Sequence, residues 1–116
     1  MVVLDQQVLN RIKQMKQDII DTGDIIKSID DCILDFKIDG VQLTYNQRGE
    51  FVAHVLTGSH ERYKLRNWTE GLMKELNSRI NNEEYSKYTK DIYNDVRNCI
   101  IGFVTMGLLT DVYIAN

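Results

Sequence analysis

The side chains best suited to chemistry are acidic and lie between positions 18 and 39. This range contains seven aspartates and two lysines, Lys27 and Lys37. The aspartates are Asp18, Asp21, Asp24, Asp30, Asp31, Asp35 and Asp39. Carboxylates bind divalent cations, but a calcium loop needs oxygen ligands at alternating positions around a central glycine, and this spacing does not occur here. Because aspartate is favoured at helix starts and in turns, we interpret these residues as caps, a turn and a solvated face.

The side chains used in nucleophilic catalysis are few and lie apart. His54 and His60 are the only histidines, and neither forms a triad-like pattern with Ser, Cys or Asp. Cys32 and Cys99 lack CxxC spacing, so they indicate neither a zinc site nor a disulfide, and we expect buried reduced thiols. The seven glycines are scattered singly and form no phosphate-binding loop. The sequence therefore predicts no enzyme, no metal and no cofactor.

A segment from His60 to Trp68 mixes basic and aromatic side chains. Its candidate interface residues are Arg62, Tyr63, Lys64, Arg66 and Trp68. Arg, Tyr and Trp dominate the energetics of protein interfaces, whereas Arg and Lys also contact phosphate. An interface and a solvated loop with Trp68 packed inward are equally open, and nucleic-acid binding is less favoured because three charges are few.

Length and composition place these residues in an ordinary globular chain. The 116 residues fit one domain, and 43% hydrophobic and 27% charged residues are typical of a globular protein. The net charge of -3 argues against non-specific nucleic-acid binding as the main role. The N-terminus lacks a signal-peptide pattern, and the uncharged stretch 99–110 is too short to cross a bilayer, so we expect no membrane association.

The apolar pattern of the first half predicts helix, helix and hairpin. An amphipathic helix is expected over 4–20, and a short helix over 24–29 after the break at Asp21, Thr22 and Gly23. Asp39-Gly40 then predicts a two-residue hairpin turn. The arms of this hairpin alternate through Cys32, Leu34, Phe36 and Ile38, then Val41, Leu43 and Tyr45. Residues 46–50 are expected to be a loop, and 51–57 either a third strand or a short helix.

The second half is predicted to be mostly helical. Asn67 with Glu70 marks the start of a helix over 68–80, and Asn81-Asn82 ends it. A further helix follows, with an apolar stripe formed by Tyr85, Tyr88, Ile92, Val96, Cys99, Ile100 and Phe103. Residues 108–114 are expected to be a terminal strand or tail. The predicted fold is α+β: a hairpin with at least one further strand, packed against the N-terminal and C-terminal helices.

One string carries a family resemblance. Residues 20–29 read I-D-T-G-D-I-I-K-S-I and resemble the D-T-G-x-[LI]-x-x-S-[IL] signature of tail-completion or neck proteins of tailed bacteriophages, also called head-tail joining or minor tail proteins. The matching residues are Asp21, Thr22, Gly23, Ile25, Ser28 and Ile29. Residues 55–59 resemble a second family pattern, V-E-x-G-[TS], with Leu56 in place of Glu. Capping by Asp21 or Thr22 and anchoring by the isoleucines give the signature a physical reason.

The resemblance implies a structural virion protein that forms or joins a ring at the head-tail interface or tail end. It covers residues 1–80, and residues 81–116 are then an additional assembly element. The implied partners are further copies of the chain and portal, connector or tail proteins, with non-specific contact to DNA in the channel. The implied location is the virion, after assembly in the bacterial cytoplasm. The alternative is a small DNA-binding regulator or antitoxin-like protein of a mobile element, although no helix-turn-helix pattern is evident.

Overall fold

The computed structural model describes residues 5–38, 42–63 and 68–105, and these residues form five α-helices with no strand among them. The helices are α1 (Asp5–Thr22), α2 (Ile25–Ile38), α3 (Tyr45–Tyr63), α4 (Trp68–Ile80) and α5 (Lys87–Thr105). They belong to two compact units, Met1–Arg62 with α1 to α3 and Tyr63–Asn116 with α4 and α5. The predicted α+β fold is therefore wrong, because the described part of the chain is all-helical. That the two units make one domain stays a prediction.

The predicted hairpin is replaced by the end of one helix and the start of another. Cys32 to Ile38, the first arm, lies in α2, and Tyr45, the end of the second arm, begins α3. Asp39, Gly40 and Val41 fall outside the described residues. The buried positions of α2 recur every three or four residues, at Ile25, Ile29, Cys32, Ile33 and Phe36, whereas Leu34 is 52% exposed. The residues of this arm fit both a strand and a helix, and packing of α2 against α1 selects the helix.

Residues 46–57 are also helical throughout. The predicted loop 46–50 and the segment 51–57 both belong to α3, so the helix alternative for 51–57 is confirmed and the third strand is wrong. Phe51, Val52, Val55 and Leu56 are buried, which gives α3 one apolar face. The short helix predicted over 24–29 continues to Ile38.

The first unit is organised around α1. Its buried residues Val8, Ile12, Met15 and Ile19 repeat at helical spacing, as the sequence predicted. α1 contacts α2, and α3 approaches it closely at Gly58. A Cβ atom at Gly58 would lie 3.1 Å from the carbonyl oxygen of Lys16, so a side chain here would be tightly packed against the α1 backbone.

The second unit is a pair of contacting helices, α4 and α5. The predicted helix over 68–80 is confirmed, and the last helix begins at Lys87, after Tyr85. Leu72 and Leu76 of α4 are buried. So are Ile92, Tyr93, Val96 and Ile100 of α5. The Tyr85 ring stacks on the Tyr93 ring with 5.9 Å between centroids, which attaches the connecting segment to α5.

Two further sequence expectations concern the C-terminal residues and membrane-spanning helices. Residues 108–114, predicted to be a terminal strand or tail, lie outside the described residues. Within 5–38, 42–63 and 68–105, no helix combines the length and apolar character needed to span a bilayer.

Candidate functional site

The D-T-G signature forms the joint between α1 and α2. Gly23 adopts a positive φ of 74°, and its N–H donates to the carbonyl oxygen of Ile19 at 2.9 Å. This is the left-handed C-cap that ends many helices, and glycine adopts it without the steric cost that a Cβ atom brings. Gly23 therefore ends α1 and turns the chain into α2.

The polar side chains of the signature are used within this joint. The Thr22 hydroxyl donates to the carbonyl oxygen of Asp18 at 2.7 Å and accepts the N–H of Asp24 at 3.1 Å. Asp24 caps α2, since its Oδ1 accepts the N–H of Lys27 at 2.9 Å. The N-cap is thus Asp24 rather than Asp21 or Thr22, and Asp21 instead accepts a hydrogen bond from the Gln17 side chain at 2.8 Å.

The remaining signature residues anchor the first turn of α2. Ser28 is buried and its hydroxyl donates to the carbonyl oxygen of Asp24 at 2.8 Å. Ile25 and Ile29 are buried one turn apart, as the sequence predicted. Each signature residue thus has a structural part in the joint.

A second set of polar side chains links α1 to α2 at a distance from the joint. Arg11 of α1 donates through Nε to Asp35 of α2, and its Nη1 lies 3.8 Å from Asp18 Oδ2. Burial is the largest single effect and would lower the pKa of Arg11, but the hydrogen bond to Asp35 together with the nearby negative charges of Asp35 and Asp18 outweighs it, and the pKa of Arg11 is raised. Burial also raises the pKa of the nearby Cys32 thiol to about 12, so Cys32 is uncharged at neutral pH and unsuited to nucleophilic attack.

The acidic region is distributed over the surface of α1 and α2. Asp31 forms a 2.7 Å ion pair with Lys27, and this hydrogen bond raises the pKa of Lys27. Asp21 and Asp24 are exposed at the joint. Across the described ranges, no three His, Cys, Asp or Glu side chains come together in a group that could hold a metal ion.

The candidate interface segment spans the point in the sequence where the first unit ends and the second begins. His60 to Tyr63 form the end of α3 rather than the predicted loop, and Arg62 is exposed there. The boundary between the units falls between Arg62 and Tyr63. Lys64 and Arg66 are outside the described residues, and Trp68 is the first residue of α4.

The contact between α1 and α3 contains charged residues that the sequence reasoning did not bring together. Along α3, Glu50, His54, Gly58 and Glu61 follow one another at helical spacing. Glu61 Oε1 lies 3.5 Å from Nζ of Lys16 on α1, and His54 Nε2 lies 3.6 Å from Glu50 Oε2. We call these residues, with Lys13 and Lys16, the α1–α3 seam. The sequence could have placed these α3 residues on one helix face only if residues 46–57 had first been recognised as helical.

The surroundings of His54, the histidine of the α1–α3 seam, change its pKa. Burial lowers its pKa from the ordinary value of 6.5; the Glu50 carboxylate opposes this change, while Lys16 and Lys13 add to it. The net pKa is lowered, so His54 is predominantly neutral at neutral pH. Lys13 and Lys16 lie one turn apart on α1, and the charges of both act on the imidazole of His54.

No protein-family model, curated protein or solved structure matches this chain.

Proposed function

We propose that this chain is a structural subunit of the neck or tail end of a tailed bacteriophage, where it binds further copies of itself and other virion proteins. The observation that carries the proposal is the string over residues 20–29, which resembles the neck-protein signature. Its form supports a structural role, because Gly23, Asp24 and Ser28 fix a joint between two helices with their hydrogen bonds. α2 continues where that resemblance implies a hairpin, so the proposal rests on the string and on the amphipathic helix before it.

The charge distribution of the first unit supports assembly with other subunits. The α1–α2 joint exposes Asp21 and Asp24, whereas the end of α3 exposes Arg62 beside Glu61, and Lys64 and Arg66 follow in the sequence. Closed rings form when unlike surfaces of neighbouring copies meet head to tail. Acidic and basic surfaces on one subunit would guide this encounter and set its register.

The first test is whether the protein assembles. Light scattering coupled to size exclusion, over a range of protein concentrations, should give an oligomer mass of at least twice the 13.5 kDa of one chain. Peptides of this chain should also be found in density-purified tailed particles from a host that carries the gene. A monomer at every concentration that is also missing from particles would refute the proposal.

The second test separates assembly from gene regulation. A small DNA-binding regulator would bind one duplex sequence more tightly than scrambled duplex of equal length, and this preference would persist at raised salt. A channel protein would show only weak, salt-sensitive DNA contact. Fluorescence anisotropy with both duplexes distinguishes these results, and sequence-specific binding by the monomer would favour the regulator.

A further inference from the structure

The α1–α3 seam places a titratable side chain at a close contact between two helices. Its three α3 positions Glu50, His54 and Glu61 flank Gly58, where a Cβ atom would come within 3.1 Å of the α1 backbone. The His54 side chain is 21% exposed, so its ring is largely covered, and it lies one helical turn from Gly58. Helices that approach this closely have little room to rearrange when a charge appears between them.

We propose that His54 is an acid-sensitive switch for the α1–α3 contact, in which the neutral imidazole maintains the packing of α3 on α1 and the protonated imidazole weakens it. Protonation would add a third positive charge to a seam that contains Lys13 and Lys16. Glu50, at 3.6 Å, compensates only in part, and the other acidic residue of the seam, Glu61, is paired with Lys16 at 3.5 Å. The switch is independent of the assembly role proposed above.

The direction of the pH effect follows from the pKa of His54. Its folded-state pKa lies below the unfolded value of 6.5, so the unfolded chain takes up a proton more readily. The stability that neutral His54 contributes is complete well above pH 6.5 and is lost as the pH falls through 6.5 toward the folded-state pKa. Aspartate and glutamate titrate at lower pH, so this window is separate from general acid denaturation.

The chain offers a matched control, because its other histidine, His60, is exposed on the same helix. Thermal melts followed by circular dichroism at about pH 7.5 and 5.5, at constant ionic strength, compare the native chain with His54→Gln and His60→Gln. The native melting temperature should fall by about 2 °C on acidification. His60→Gln should retain that fall and His54→Gln should lose most of it. An equal fall in native protein and His54→Gln, or none in native protein, would overturn the proposal.

A measurement on native protein keeps the test valid if His54→Gln does not fold. The ring protons of His54 are followed by NMR as the pH is varied, and their titration midpoint should lie below the ordinary value of 6.5. Lys16→Gln removes one nearby cation and should move the His54 midpoint upward. A His54 midpoint at or above 6.5, or one unaffected by Lys16→Gln, would show that the seam does not control His54.

Discussion

At the scale of single residues, Gly58 lies at a close contact with another helix, where a side chain would be tightly packed. Glycine inside a helix ordinarily lowers stability by about 0.5–1 kcal/mol relative to alanine, so its presence in α3 needs a reason. The reason is the Lys16 carbonyl oxygen, 3.1 Å from where a Cβ would lie. Gly49 is on the same helix and its Cβ would meet nothing within 4 Å, which makes it a control for helix propensity alone.

We predict opposite effects for alanine at these two glycines. Gly49→Ala should raise the free energy of unfolding by about 0.5–1 kcal/mol. Gly58→Ala should lower it by about 1 kcal/mol, since the cost of overpacking exceeds the propensity gain. Urea unfolding followed by circular dichroism measures both. Equal stabilisation by the two substitutions would mean that α3 does not approach α1 at Gly58.

The two cysteines should differ in reactivity. Cys32 is buried and its thiol pKa is raised to about 12, whereas Cys99 is half-buried with a pKa raised by burial and by Asp95. Because the thiolate is the reactive species, iodoacetamide at neutral pH should modify Cys99 slowly and Cys32 only after unfolding. Peptide mass spectrometry in native buffer and in denaturant tests this. Rapid native alkylation of Cys32 would contradict its burial between α1 and α2.

At the scale of elements, each connection that precedes α2, α3 and α5 contains a side-chain cap. Asp24 caps α2, and the Ser86 hydroxyl accepts the N–H of Thr89 at the start of α5 at 3.2 Å. α3 begins with a capping box: Thr44 Oγ1 accepts the Gln47 N–H at 3.2 Å, and Gln47 Oε1 accepts the Thr44 N–H at 2.9 Å. The T-x-x-Q spacing was visible in the sequence and would have predicted α3 in place of a hairpin arm.

Thr44→Ala should therefore destabilise α3. We expect a loss of about 1 kcal/mol in the free energy of unfolding, because the N–H of Gln47 loses its partner. Thr57→Ala is the control: Thr57 is exposed within α3 and its hydroxyl only donates to the Ala53 carbonyl oxygen. That substitution should be neutral or stabilising by about 0.5 kcal/mol, since alanine has the higher helix propensity. Indistinguishable denaturation curves for the two variants would exclude the capping box as a source of stability.

At the scale of the whole molecule, the proposed assembly depends on the basic segment 62–66, which spans the boundary between the two units in the sequence. Arg62 is exposed at the end of α3, and Lys64 and Arg66 follow it in the sequence. The triple variant Arg62→Ala, Lys64→Ala, Arg66→Ala should stay folded, as circular dichroism can check, because Arg62 is exposed and substitution of an exposed residue usually changes stability by less than about 0.5 kcal/mol. We predict that it assembles less, both in solution and in particles.

The control for this prediction removes three positive charges elsewhere. Lys74→Ala, Lys87→Ala, Lys90→Ala changes the net charge equally, and these lysines lie on α4 and α5. This variant should assemble like the native chain, as judged by light scattering and by incorporation into particles. Normal assembly of a folded Arg62, Lys64, Arg66 variant would remove the basic segment from the interface. Equal loss in both variants would mean that net charge, rather than this segment, governs association.

The sequence by itself determined the elements whose pattern admits one interpretation. α1 and α4 were predicted because their apolar residues repeat only at helical spacing, and the joint at Gly23 was predicted because glycine and neighbouring cap residues interrupt that repeat. The helical character of α5 was predicted for the same reason, but its start was placed before Lys87. Local propensity was sufficient here because each signal extends over several turns.

Tertiary structure decided the elements whose residues fit two periods. Cys32, Leu34 and Phe36 alternate as in a strand, yet Cys32 and Phe36 also complete a helical face with Ile25 and Ile29 that leaves Leu34 exposed. α1 supplies the apolar surface that packs against this face. The same holds for α3, where the position of Gly58 against Lys16 depends on residues far apart in the chain. A pattern within one segment cannot specify which face will find a partner, because burial depends on where the other helices lie.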